Sequence, residues 1–192
     1  MIPGGGRGSL QVVVLAAGRS RRFGTRDKLT SLVAGRPMAL SVARLVAGLV
    51  CGGAVAVARN PAVAGLFRSC GFAIVPAGPQ NGGQSDSLKR GLARARRRGT
   101  SRVLVLLADM PFLTRADLER MARRRAWQPA MAQAGGQTLP PALVPRALYP
   151  LLDRLKGDAG AGAVLRRRPN LRRVDLSDSS LIDIDKPGGP RC

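Results

Sequence analysis

The side chains that could do chemistry in this 192-residue chain are mostly charged: there are 32 lysines and arginines, 11 carboxylates and no histidine. Without histidine, a His-based triad, a His proton relay and the usual His/Cys zinc site are excluded. The three cysteines, Cys51, Cys70 and Cys192, have neither the spacing of a metal site nor the number of a disulfide scaffold. The eleven carboxylates, ten of them aspartates, are the more informative of the charged side chains, because a chain this basic has few of them.

Asp109 is the carboxylate best placed to bind a metal ion. It follows segment 102–108, RVLVLLA, which is the clearest strand pattern in the chain. Ligands of parallel sheets bind at the carboxyl ends of the strands, and Mg²⁺ is usually held by one or two carboxylates together with phosphates and water. We therefore predict that Asp109 is a metal ligand. The alternative is that it caps the turn that follows it.

A loop of small and basic residues follows the first predicted strand, 11–17. Small residues at 16–18 allow a backbone to approach a ligand closely, and exposed N–H groups in such a loop can bind phosphate. The pattern is neither a dinucleotide-binding motif nor a Walker A motif. A solvated surface loop is the alternative interpretation. The basic residues of this loop are Arg19, Arg21, Arg22, Arg26 and Lys28.

Strand and helix patterns alternate along the chain, which predicts a parallel sheet covered by helices on both faces. Thr114, with Asp117 three residues on, is a typical helix start. The predicted strands are 11–17, 54–58, 72–75, 102–108, 130–134, 142–144, 171–176 and 181–184. The predicted helices are 37–50, 60–69, 85–97, one that starts after Thr114, 145–155 and 159–168.

The net charge of +21 makes a polyanionic partner plausible. However, only four of the basic residues are lysines and aromatic residues are 3% of the chain, so the charge is typical of a GC-rich coding bias and we predict no specific nucleic-acid partner.

No apolar run reaches the ~20 residues of a membrane-spanning helix, and we expect a cytoplasmic protein without a membrane partner. We expect one domain over 10–187, with disordered tails at 1–9 and 188–192.

Five motifs give the chain a resemblance to a known family. LAAG-x-S-x-R-F-G at 15–24, followed by Asp-Lys-Leu at 27–29, is similar to the signature loop of the nucleotidyltransferases that make the molybdenum cofactor and of their relatives. The other four, in chain order, are 83–92 (GQSDSLKRGL), 106–112 (LLADMPF), 157–161 (GDAGA) and 183–187 (DIDKP). The resemblance implies an α/β class of fold, the three-layer α/β/α Rossmann-like nucleotidyltransferase fold, with a mostly parallel sheet and a late antiparallel strand.

The same resemblance implies roles for particular residues. Arg22 and Lys28 match phosphate-handling positions and, with Asp109, would be catalytic. Asp185 would be a second metal ligand, although a strand-edge aspartate bound to backbone N–H groups is an equal alternative. Ser85 and Ser87 would contact the nucleotide or simply cap their helix. The full nucleotide-binding set is Leu15, Ala16, Ala17, Gly18, Ser20, Arg22, Lys28, Ser85 and Ser87; the acceptor-binding set is Gly157, Asp158 and Gly160.

Ala17 bears on which nucleotide is used. The family's loop reads LAGG in members that transfer GMP and LAAG in members that transfer CMP, so the resemblance points to CTP, with Mg²⁺ as the cofactor. The acceptor would be molybdopterin carrying molybdenum, a phosphorylated pterin, and the product would pass to a molybdoenzyme or its chaperone. Gly162 and Pro140 depart from the family on the acceptor side.

Three alternatives stay open at this point. The first is transfer to another phosphorylated small molecule, or transfer from GTP. The second is a non-catalytic basic protein that binds nucleic acid or a cofactor on the same fold, as the arginine clusters at 94–98, 123–125 and 166–173 indicate. The third is a cofactor chaperone with slow or no turnover.

Overall fold

The computed structural model describes residues 9–18, 27–49, 52–79, 82–177 and 180. Ser20, Arg22, Asp185, the predicted strand 181–184 and both predicted tails (Ser9 aside) lie outside these residues. The strands are β1 Leu10–Ala16, β2 Leu32–Val33, β3 Arg36–Pro37, β4 Ala54–Ala58, β5 Ala73–Pro76, β6 Arg102–Leu107, β7 Ala130–Ala134, β8 Gln137–Pro145 and β9 Arg172–Asp175. The helices are α1 Met38–Ala47, α2 Pro61–Ser69, α3 Gly83–Arg97, α4 Arg115–Ala122, α5 Tyr149–Leu152 and α6 Gly162–Leu165, and 3₁₀ turns span Lys28–Thr30 and Arg146–Leu148.

Seven of the strands form one sheet in the order β5-β4-β1-β6-β8-β7-β9. Strands β5, β4, β1 and β6 pair in parallel, and β9 pairs in parallel with β7. Strand β8 pairs antiparallel with both β6 and β7. The prediction of a mostly parallel sheet with a late antiparallel strand is therefore confirmed.

The sheet is the middle of three layers because its central strands are apolar on both faces. In β1, Val12 and Val14 pack into the layer formed by α1, α2 and α4, whereas Val13 and Leu15 pack into the layer formed by α3, α5 and α6. A strand buried on both faces reads as a continuous β-branched run. Both faces of the sheet are therefore covered by helices, as the alternation of strand and helix patterns predicted.

Local sequence signals fix where two of the helices begin. The Asn60 side chain accepts a hydrogen bond from the Ala62 N–H and Pro61 occupies the first helical position, so α2 begins at this pair. Thr114 and Asp117 form a reciprocal capping box at the start of α4. Both helix starts were predicted.

Three features differ from the sequence-based expectations. The predicted helices 145–155 and 159–168 shorten to the four-residue helices α5 and α6. Strand β8 begins at Gln137, five residues before the predicted start. A two-stranded hairpin, β2–β3, was not predicted. No helix in the described ranges is both long enough and apolar enough to cross a membrane.

Candidate active site

The carboxyl ends of β1 and β6 meet at the centre of the sheet. Leu15 of β1 lies opposite Leu107 of β6, and the Ala108 N–H donates to the Leu15 carbonyl at 3.1 Å. Asp109 comes directly after this last hydrogen bond. Because parallel strands release their chains at the same edge, the small-residue loop after β1 and the aspartate after β6 share one crevice.

A lysine and an aspartate that are 81 residues apart in the sequence meet in this crevice. Lys28 Nζ donates to Asp109 Oδ2 at 3.2 Å. The lysine side chain is 10% exposed and the aspartate side chain is 28% exposed. The pair is therefore covered from one side and open to solvent on the other. Such a pair can receive an anionic ligand together with its counter-cation.

Lys28 is held in place by a short network behind it. The Leu29 N–H donates to Asp27 Oδ1 at 3.0 Å, which caps the 3₁₀ turn that begins at Lys28. Asn60 Nδ2 donates to Asp27 Oδ2 at 2.9 Å and so ties this turn to the start of α2. Sequence reasoning identified Asn60 only as a helix cap and gave no role to Asp27, because their contact spans two elements.

The predicted nucleotide-binding residues in and just after β1 differ in how accessible they are to a ligand. Leu15 and Ala16 bury their side chains in opposite layers of the core, so those side chains are not available to a ligand. Ala17 is half-buried and Gly18 is exposed. A Cβ placed on Gly18 would have no atom within 4 Å, so the chain at this point is open to an incoming molecule.

The predicted nucleotide-contacting serines lie inside α3. This helix begins at Gly83, and its cap residue Gly82 makes no side-chain capping bond. The alternative that Ser85 and Ser87 cap the helix is therefore wrong. Both residues are buried, and the Ser85 hydroxyl donates back to the Gly82 carbonyl at 3.5 Å.

The predicted acceptor segment lies directly against the start of α3. The Ser85 N–H donates to the Gly157 carbonyl at 3.0 Å. Gly83 has φ +65°, and a Cβ on it would lie 2.3 Å from the Gly157 oxygen, so only glycine fits there. A Cβ on Gly160 would likewise lie 2.7 Å from Gln84 Oε1. Asp158 is exposed beside this contact. The segments that were predicted to bind the two substrates thus share a backbone contact.

The described residues fit a cation held by a single protein carboxylate. Among them, no group of three His, Cys, Asp or Glu side chains could hold a metal ion. Asp109 is a half-open oxygen donor of the kind that Mg²⁺ takes when phosphates and water supply the other ligands. The alternative of a turn cap is not favoured, because the Asp109 carboxylate contacts Lys28.

A parallel sheet that presents an open small-residue loop, a lysine and a carboxylate at the ends of its central strands is a nucleotide-binding type of α/β protein. Residues 12–174 match the MobA-like NTP transferase domain, and the chain belongs to this family. Its activity class is therefore nucleotidyl transfer. No protein with a curated description matches the chain significantly.

Solved structures share the fold at low sequence identity. Rv0371c from Mycobacterium tuberculosis H37Rv is 21% identical over 94% of both chains, with a TM-score of 0.77. A nucleotidyl transferase from Methanothermobacter, Mth528, is 21% identical over 93% of this chain and 92% of its own, with a TM-score of 0.77. A CMP:2-keto-3-deoxy-manno-octonic acid synthetase in complex with CTP is 11% identical over 93% and 94%, with a TM-score of 0.71.

Proposed function

We propose that this protein transfers CMP from CTP to the phosphate of molybdenum-bearing molybdopterin. An oxygen of the acceptor phosphate bonds to the α-phosphorus of CTP. The bond from that phosphorus to the oxygen bridging to the β-phosphate breaks, and pyrophosphate leaves with the electron pair. The observation that carries the proposal is the Lys28–Asp109 contact in the crevice of a MobA-like domain.

The chain supplies what this reaction needs. A phosphate acceptor is already a nucleophile, so no general base is required and the lack of histidine is no obstacle. Catalysis then rests on positioning and on charge stabilisation. We assign to Lys28, together with Arg22 of the loop, the task of offsetting negative charge on the α-phosphate and on the departing pyrophosphate.

The metal would be Mg²⁺, held by Asp109 and, in our proposal, by Asp185. Bound there, it would supply charge neutralisation on the triphosphate. Asp109 contributes a carboxylate oxygen from a rigid strand end, and Lys28 steadies it at 3.2 Å. A structure of Rv0371c, which shares the fold, is described as a complex with manganese.

CTP is favoured over GTP by the residue at position 17. Ala17 is half-buried between the buried strand end and the open Gly18. We propose that its methyl group narrows the slot for the base and so favours a pyrimidine. The base and ribose would then rest near Ser85 and Ser87 at the start of α3.

The acceptor would bind at segment 157–160. Its carbonyl at Gly157 is hydrogen-bonded to the start of α3, so an acceptor held there would lie next to the nucleotide. A molybdoenzyme, or a chaperone of one, is the partner that we propose for the product.

Pyrophosphate release tests the proposal. The assay supplies Mg²⁺, molybdenum-bearing molybdopterin and either CTP or GTP, and compares wild type with Asp109→Ala. Asp153→Ala is the matched control. Asp153 also pairs with a basic side chain, with 2.5 Å between Arg96 Nη2 and Asp153 Oδ2, but it follows the last residue of α5 and not a central strand. Release from CTP that disappears only in Asp109→Ala supports the proposal. Release only with GTP or with another phosphorylated acceptor supports the corresponding alternative. No release from folded protein supports a non-catalytic role.

A further inference from the structure

A basic groove lies at the outer edge of the sheet, between α4 and the edge strand β9. Its volume is about 500 Å³, which is within the range of small-molecule sites. Four of its seven lining residues are arginines and one is a carboxylate. We call it the edge groove; its lining residues are Arg120, Arg124, Leu171, Arg172, Arg173, Val174 and Asp175.

The edge groove lies apart from the candidate active site. Strands β8 and β7 separate β9 from β6, after which Asp109 follows. At ~4.8 Å between neighbouring strands, β9 lies roughly 14 Å from β6. A ligand in the groove would therefore not occupy the Lys28–Asp109 crevice.

The positive charge of the groove is poorly compensated by nearby carboxylates. Asp117 pairs with Arg120 at 3.2 Å, and Glu119 pairs with two other arginines of its helix. Within the described part of the chain, no carboxylate forms an ion pair with the remaining three arginines of the lining, which are Arg124, Arg172 and Arg173. An anion in the groove would relieve the repulsion among them.

Two of the arginines are held by the fold, unlike arginines that extend freely into solvent. Arg120 Nη1 donates to the Asp175 carbonyl at 3.1 Å, and its other terminal nitrogen contacts the buried Asp117. The carbonyl of Arg124 accepts a hydrogen bond from the Arg102 guanidinium. Arg124 Nε is buried and has no hydrogen-bond partner among the described residues. Arg120 and Arg124 therefore line the groove from fixed positions.

The edge strand adds backbone donors to the groove. The N–H groups of Arg172 and Leu176 donate towards β7, to Pro129 at 2.9 Å and Gln133 at 3.1 Å. Because alternate residues of a strand turn their backbone groups to opposite sides, the N–H of Arg173 points away from β7. The groove thus combines a backbone donor with several guanidinium groups.

We propose that the edge groove binds a small ligand that carries two or more phosphate groups. Guanidinium groups match phosphate in a two-pronged geometry, and arginines make up four of the seven lining residues. No aromatic side chain lines the groove, whereas sites for single-stranded nucleic acid usually stack bases on aromatic rings. The lining therefore favours a compact phosphate ligand over a nucleic-acid strand. This inference is independent of the proposed transfer reaction.

Arginine footprinting tests the inference residue by residue. The full chain is treated with phenylglyoxal at near-physiological salt over a range of inorganic tripolyphosphate concentrations, and modified arginines are located by mass spectrometry. We expect protection of Arg124, Arg172 and Arg173, and no protection of Arg97, which is exposed at the end of α3. The concentration that half-protects Arg124 measures affinity at this site alone.

Two double variants that remove the same amount of charge distinguish a specific binding site from general attraction of anions to the basic surface. In Arg172→Gln/Arg173→Gln, we expect half-protection of Arg124 to need at least tenfold more tripolyphosphate. In Arg97→Gln/Arg167→Gln, which removes exposed arginines elsewhere, we expect less than a twofold change. Equal shifts in the two variants, uniform protection of all arginines, or stronger protection by a single-stranded oligonucleotide than by tripolyphosphate would each overturn the inference.

Discussion

The two ends of the central strands each bury a basic side chain, and the two differ in their partners. At the carboxyl end, Lys28 is 8% exposed and contacts a carboxylate that is 28% exposed. At the amino end, Arg102 is 4% exposed and donates to the backbone carbonyl of Arg124, just past the end of α4. One basic group contacts an ionised partner at an open crevice, and the other donates to a backbone carbonyl inside the fold.

This difference separates a functional charge from a structural one. Ion pairs that solvent reaches contribute only about 0–1 kcal/mol to stability, and Asp109 is 28% exposed, so we expect the Lys28–Asp109 pair to add little to the free energy of unfolding. A buried basic side chain that donates to a carbonyl just past a helix end ties that segment to the sheet and so contributes to stability. We therefore expect substitutions at the carboxyl end to change activity and those at the amino end to change stability.

After substitution of Asp109 itself, the largest expected effect is the loss of activity in Lys28→Gln. Removing one preorganised positive charge from a phosphoryl site costs roughly 10²–10³-fold in turnover. The free energy of unfolding should change by less than about 1 kcal/mol, since the pair is half-open. Pyrophosphate release and urea unfolding measure the two quantities on the same sample. A variant that keeps its turnover, or that loses turnover only because it unfolds, would contradict a functional role for Lys28.

The corresponding substitution at the amino end is Arg102→Met. It keeps the bulk of the side chain and removes the hydrogen-bond donor to the Arg124 carbonyl. We expect a loss of about 2 kcal/mol in the free energy of unfolding, because the Arg124 carbonyl loses its partner inside the protein. Arg102 lies about 20 Å along β6 from Asp109, so turnover of folded protein should stay within twofold. Arg98→Met, at the exposed end of α3, controls for the loss of charge. Equal unfolding free energies in the two variants would contradict a structural role for Arg102.

Most of the fold could be predicted from the sequence because its central strands and helix starts carry local signals. Strands β4 and β7 have the predicted bounds, and so does the capping box of α4. The start of β8 was missed because Pro140 and Pro141 argue against a strand. In the structure both prolines fall where the pairing of β7 with β8 shifts register, between Met131 and Ala132.

The sequence allowed single residues of the candidate site to be proposed, but not the contacts between them. Lys28 and Asp109 were each predicted, yet their contact depends on β1 and β6 being neighbours in the sheet. The Asn60–Asp27 bond and the Ser85–Gly157 bond also join elements far apart in the sequence. No local pattern marks such contacts, because each partner has an adequate local role of its own.

A pH experiment tests the role of Asp117 as a structural carboxylate. Burial alone would raise the pKa of Asp117, but hydrogen bonds from Thr114 and Ser180 and the charge of Arg120 lower it below its ordinary value of 3.8. Asp117 thus stabilises the fold above about pH 4, and this contribution is lost as the pH falls through its lowered folded-state pKa. We expect Asp117→Asn to be about 1 kcal/mol less stable at pH 7, with a smaller loss of stability on acidification than wild type. Parallel pH curves for the two proteins would contradict this assignment.

The smallest expected change in activity concerns the nucleotide base. In Ala17→Gly, the methyl group that we propose to narrow the slot is absent, and the preference for CTP over GTP should fall by roughly 10-fold, the effect of about one methyl-sized contact. The ratio of the kcat/KM values for the two nucleotides measures this change. Gly65→Ala, within α2, is the control, since a Cβ there also meets nothing within 4 Å. An unchanged ratio in Ala17→Gly would refute the slot argument.

The most direct test of the account measures turnover and stability together in Asp109→Asn, which keeps the shape of the side chain and removes its charge. The account predicts that pyrophosphate release from CTP falls by about 10³-fold while the free energy of unfolding stays within about 1 kcal/mol of wild type. Release at the wild-type rate from this variant would contradict the claim that the carboxyl end of β6 is the centre of the reaction.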